Sequence, residues 1–238
     1  MTMENNPYGI EALWQQGDPV IKTVAVILLL MSVASWTVIV IRVAVLWRVN
    51  RVAKSAEQFW HAQSFEQGLE MLGGCDHSNP FVYLAEQGRQ ALQHHATHKE
   101  DLHGHLPLAE WLSASLRSAI DEGREQLQRG LSILASVGST APFIGLFGTV
   151  WGIYHALVGI GVSGQAGIDK IAGPVGEALI MTAFGLAVAI PAVLSYNALV
   201  RANKGLVSKL NRFAHQLHPY FLAGAAQINS NSSERGEQ

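Results

Sequence analysis

Three long runs with almost no formal charge decide what this chain can become. No Asp, Glu, Lys or Arg occurs between Arg129 and Asp169. The third run, 171–200, carries a single charge, and the first, 24–41, lies uncharged between Lys22 and Arg42. About 20 apolar residues suffice for a helix to cross a hydrocarbon core. Inside lipid every backbone amide needs a partner within the segment, so such runs fold as helices or as closed barrels. Runs this long and continuous favour helices. They predict an all-α integral membrane protein with transmembrane helices over 23–42, 131–161 and 171–200. The two later runs exceed the minimum and so tilt or project beyond the bilayer. A Gly-rich stretch, GVSGQAG (161–167), leads into the turn expected over 162–170.

Lys and Arg near the span ends set orientation. Arg42, Arg48, Arg51 and Lys54 follow the first run, and Arg117, Arg124 and Arg129 precede the second. Arg201, Lys204, Lys209 and Arg212 follow the third, whereas Lys22 and Lys170 stand alone on the other side. Segments 1–22 and 162–170 are therefore expected outside, with 43–130 and 201–238 in the cytoplasm. The cytoplasmic parts read as helical. Leu108, Leu112, Leu116, Ala119, Ile120, Leu127, Leu131 and Leu134 recur at helical steps and run straight into the second span, predicting one long helix. Leu206, Leu210, Phe213 and Leu217 repeat after the third span and end near Pro219. Such stripes outside lipid need partners, either each other or neighbouring subunits. A helix is expected over 201–226, and a polar, disordered tail over 227–238.

The one charge in the third run is Glu177. A carboxylate at the centre of a spanning helix costs about 3 kcal/mol on insertion scales, so such acids face a bundle interior or a wet cavity. Thr149 and Thr182 lie at nearly equal steps on either side of Ala166. An antiparallel hairpin then places both at one depth, as candidates to line a polar path. His155 and Glu177 are also equidistant from that turn, which makes His155 a pore-adjacent candidate and a contact partner for Glu177. Gly145, Gly148 and Gly152 are spaced for close helix packing. Pro142 and Pro191 are expected to kink their helices.

The remaining features mostly exclude. Only 14% of residues are charged, against about 25% in soluble domains. Net charge is −2, giving no support for a nucleic-acid partner. The lone Cys75 can form no intrachain disulfide. The first 21 residues lack Lys and Arg, so no basic leader marks a cleaved signal and the first run should stay as an anchor. His94, His95, His98, His103 and His105 fall in a polar stretch without cysteine and read as a solvated linker, with no metal and no cofactor expected. The phosphate-cradling GxxxxGK[ST] is missing, as are GxSxG and HExxH. No enzyme is implied, and any work done draws on an ion gradient.

The stretches APFIGLFGTVWGI (141–153) and AGPVGEALIMTAFGLAVAIPAV (172–193) resemble the ExbB/TolQ family, proton-channel subunits of bacterial envelope motors. Within it, WQQGDPVIKTVAVILL (14–29) resembles the amphipathic lead-in helix of ExbB members. His155 stands where some ExbB members carry asparagine, and is similar to TolQ there. The resemblance implies an inner-membrane homopentamer around a pore holding an ExbD dimer. It further implies that the proton motive force drives TonB, which energises uptake of siderophores, haem or cobalamin. Glu177 matches the family's functional acid, and Thr149 and Thr182 match its pore threonines, while the essential proton-carrying aspartate belongs to ExbD. A TolQ-type motor for outer-membrane integrity and constriction is the first rival. A self-sufficient channel and a passive scaffold are others; a flagellar-type stator would show four spans.

Overall fold

The computed structural model describes residues 18–73, 79–97, 106–163 and 168–236, and side chains within these except at 163, 168–171 and beyond 224. Among the described residues every regular element is helical. In order they are α1 (Pro19–Ser55), a short 3₁₀ turn (Gln58–His61), α2 (Phe65–Met71), α3 (Pro80–Thr97), α4 (Leu108–Gln128), α5 (Leu131–Ser163) and α6 (Ile168–Gly236). Among the described residues three stretches are long and apolar enough to cross a membrane: Pro19–His61, Leu131–Val162 and Ala172–Gly224. Helices α1 and α6 run well past the spans expected from their apolar runs.

The chain divides into two compact units. The first comprises Met1–Ile41 with Gly130–Leu199, and the second Arg42–Arg129 with Val200–Gln238. In the first unit Ile21, Val24 and Leu28 of α1 are buried, as are Leu134, Val137 and Ala141 of α5 and Ala178, Met181, Ala189 and Ala192 of α6. The outward faces carry Leu29, Leu30, Phe143, Val150, Leu186 and Leu194. Large apolar side chains turned outward are the pattern of helices whose solvent is lipid, and alanines line much of the buried face of α6.

The second unit has the core of a water-soluble bundle. Leu72, Phe81, Leu84, Leu112, Leu210 and Leu217 are fully buried. Phe213 of α6 meets Phe59 edge-on at 5.2 Å and Phe81 at 5.8 Å. The stripes on α4 and α6 therefore find partners within the chain. At its surface the Tyr83 hydroxyl donates to Glu122 at 2.5 Å. That bond, with some burial, pushes the phenol up to about 12. A raised folded value stabilises the fold fully below the unfolded value of about 10 and is lost as pH rises from 10 to 12. Tyr83→Phe should thus cost about 1 kcal/mol or less below pH 10, with the gap to wild type closing by pH 12 in denaturant titrations of the detergent-solubilised chain.

Four expectations need correction. The stripe from α4 does not continue as one helix into the second span. It breaks at Gly130, whose φ of 75° is left-handed. A glycine there stops a helix cheaply, and the freed carbonyls of α4 find other donors. The Arg129 N–H makes the last i→i−4 bond, to the Glu125 oxygen at 3.1 Å; beyond it the Arg42 guanidinium donates to the Gln126 oxygen at 3.1 Å, and the buried Asn203 amide donates to the Leu127 oxygen at 2.8 Å. Nor does α6 end near Pro219. Phe221, buried and 5.6 Å from the Phe65 ring, holds the helix in place beyond the proline. The polar tail from 227, expected to be disordered, continues α6 as helix to Gly236. His94 and His95 belong to the last turns of α3, not to a linker. Their companions His98, His103 and His105 lie outside the described residues, as do Cys75 and residues 164–167, where a turn is expected.

Candidate functional site: a hydroxyl pair and an acid in the α5–α6 pair

The close approach of α5 and α6 is built from residues without bulk. A methyl added at Gly145 would sit 2.6 Å from the Met181 carbonyl oxygen and 3.0 Å from the Gly185 Cα. One added at Gly185 would sit 2.7 Å from the Ala141 carbonyl oxygen. Gly148 faces the Met181 side chain and Val24 of α1, while Gly152 faces Ala178 and Ile21. Gly138 faces Val193 at the other end. As numbers rise along α5 the facing numbers fall along α6, so the pair is antiparallel. Pro142 lies within α5 and Pro191 within α6, and neither ends its helix.

Backbones this close let one side chain reach the neighbouring helix. Thr149, only 7% exposed, has its hydroxyl 3.2 Å from the Gly145 oxygen of its own helix and 3.1 Å from the Ala178 oxygen of α6. The Thr182 hydroxyl is also bonded to it. Thr149 has one proton to give, so it donates to one of those carbonyls and accepts from Thr182. Thr182 is half-buried, and its oxygen keeps lone pairs for a further donor. The two threonines expected at one depth do meet. A bonded hydroxyl pair can take a proton on one side and release one on the other.

Glu177 directly precedes Ala178, whose carbonyl holds Thr149. It is half-buried and has no hydrogen bond or ion pair among the described residues. By helix rise it stands about 7.5 Å along the axis from Thr182. Within lipid an unsatisfied carboxyl must find water or another chain.

His155 does not reach Glu177. Its Nδ1 lies 3.4 Å from Asp18, just before α1. The same carboxylate accepts from Trp151 Nε1 at 2.7 Å. The Trp151 bond, then the Val20 amide and His155, hold the Asp18 carboxyl below the usual aspartate value, against some burial. Asp18 therefore ties the start of α1 to α5 and draws the histidine away from α6. Sequence reasoning missed Asp18, though an acid beside the first span was in plain view. It also missed Gly185, although Ala178, Gly185, Ala189 and Ala192 repeat small residues down the buried face of α6.

These features define a class: a membrane protein, helical throughout its described residues, whose charge-poor spans hold a bonded hydroxyl pair and an acid unpaired among those residues. Residues 85–212 match the model of the MotA/TolQ/ExbB proton channel family. The chain belongs to that family. It is 42% identical over 217 residues to "Biopolymer transport protein ExbB" of Xanthomonas campestris pv. campestris, covering 88% of this chain and 85% of the relative. It is 41% identical over 211 residues to the protein of the same name in Neisseria meningitidis, covering 88% and 95%. "Tol-Pal system protein TolQ" of Pseudomonas aeruginosa is 32% identical over 224 residues, covering 90% and 94%. The chain is thus a transport-related, proton-channel-type subunit of the inner membrane, and this family is not an enzyme class.

Proposed function

We propose that this chain is the ExbB-type subunit of a proton-driven motor that energises TonB-dependent uptake across the outer membrane. The observation that carries the reading is Glu177, an acid with no hydrogen bond or ion pair among the described residues, on the same helix pair as the bonded Thr149–Thr182. Five copies would form a ring around an ExbD dimer. Glu177 and the threonines would line a wet path, and protons would pass to a carboxylate of the ExbD helix. Neutralising that carboxylate lets the inner helix move between staves. The N-terminus would face the periplasm and the C-terminus the cytoplasm, as the Lys and Arg distribution favours.

The ExbB branch is supported by the 42% and 41% relatives. A TolQ-type role in outer-membrane constriction is the second reading, favoured by the 32% relative and by the histidine at 155. Deleting the gene separates the two. The ExbB reading expects loss of growth on a ferric siderophore as sole iron source, with detergent resistance and cell separation intact. Detergent sensitivity and chained cells with normal siderophore growth would assign the chain to the Tol branch instead.

A further inference from the structure

The second unit carries a basic and aromatic face that the proton path does not use. From Arg42 to Ser55, α1 buries Val49 and Ala53 in the core of that unit. The opposite side presents Trp47, Asn50, Arg51 and Lys54, all exposed, with Trp47 66% exposed. The Arg51 guanidinium lies over the Trp47 ring at 4.2 Å. Asn50 accepts a hydrogen bond from Lys209 of α6 at 2.9 Å, which brings a third cation to the same face from a second helix. No Asp or Glu occurs anywhere in α1.

We propose that Trp47, Asn50, Arg51, Lys54 and Lys209 form a site for the headgroups of anionic phospholipids. A bilayer with its headgroup layers is about 40–45 Å thick, or about 28 residues of helix. Counted from Pro19, that length ends at Trp47. Indole is the side chain that settles at this boundary, apolar on its faces and able to donate at its edge. Helical side chains lean toward the N-terminus, so Arg51 reaches back over Trp47 toward the membrane. The ring holds the guanidinium by cation–π attraction, leaving its N–H fork for phosphate. Lys54 and Lys209 add charge, and the last turn of α1 adds carbonyl dipoles that favour cations there. No acid on α1 competes with phosphate for these groups. The occupant is a lipid headgroup because the face continues directly from a membrane-crossing helix. A protein partner would need an acidic surface at that same depth.

The test uses the full chain, extracted in mild detergent in its native assembly. It is given equal amounts of phosphatidylglycerol and phosphatidylcholine with matched acyl chains. Native mass spectrometry then counts the retained lipids. Each cation near an anionic surface contributes about fivefold in partitioning, so wild type should favour phosphatidylglycerol by at least that factor. Arg51→Gln with Lys54→Gln and Lys209→Gln should bring the two lipids near parity. Arg51→Lys with Lys54→Arg and Lys209→Arg should keep the preference, which separates charge from folding. Equal retention by wild type would overturn the proposal, as would an undiminished preference in the triple glutamine variant. An assembly that falls apart in that variant while its lipid preference persists would assign the face to a second copy of the chain, and also overturn it.

Discussion

Gly145→Leu is expected to abolish recovery of folded chain from membranes. The reason is what lies opposite. A Cβ at 145 meets the Met181 carbonyl oxygen at 2.6 Å and the Cα of Gly185 at 3.0 Å. Both are backbone, and no rotamer can move them. The helices would have to part, and lipid gives them no hydrophobic reason to come back together. Parting also breaks the bond from Thr149 to the Ala178 carbonyl, now 3.1 Å long. Overpacking a well-filled core costs about 1–3 kcal/mol even where side chains can adjust, and here they cannot. Gly185→Leu should behave alike, because its Cβ meets the Ala141 carbonyl oxygen at 2.7 Å. Gly148→Ala should be milder, since its nearest neighbours are the Cβ and Cγ of a flexible methionine at 3.0 and 3.1 Å. Gly159→Leu on the same helix has nothing within 4 Å and should be neutral. Thermal midpoints of the detergent-solubilised chain, followed by helical circular dichroism, test the order. Equal midpoints for the substitutions at 145 and 159 would show that α5 and α6 do not depend on this contact.

How much of this could be read beforehand follows from what each kind of signal encodes. The three spans were legible because the absence of charge is a property of composition, and lipid admits few answers to it. The meeting of Thr149 with Thr182 was legible because an antiparallel pair with a short turn fixes depth by counting. The same counting failed for His155 and Glu177. Depth says nothing about rotation, and His155 turns to Asp18, just before α1. The break at Gly130 was hidden for a related reason. The apolar stripe keeps its period across residues 127, 131 and 134, while termination depends on Arg42 and Asn203, remote in sequence, supplying donors to the end of α4. Periodicity reports which face is buried. It does not report which carbonyls have found other partners.

Glu177→Ala is expected to lower siderophore-dependent uptake on the order of a hundredfold, the loss typical when a positioned proton-transferring group is removed, without lowering stability. The two halves of that prediction come from different facts. The acid has no hydrogen bond or ion pair among the described residues, so the alanine variant breaks none of those bonds. It also removes the cost of holding a carboxyl in a spanning helix, about 3 kcal/mol on insertion scales. The thermal midpoint of the variant should therefore match or exceed that of wild type. A group that a fold tolerates at a cost, with no hydrogen bond or ion pair among the described residues in return, is kept for something other than folding. Glu177→Gln sharpens the point, because it keeps a hydrogen-bonding side chain of the same size and loses only the titratable proton. Uptake should fall in both variants if a proton must visit this position. Uptake lost in the alanine variant but kept in the glutamine variant would mean that Glu177 only orders water or a partner helix. Wild-type uptake in both, with assembly intact, would remove residue 177 from the path and leave Thr149 and Thr182 as a packing device.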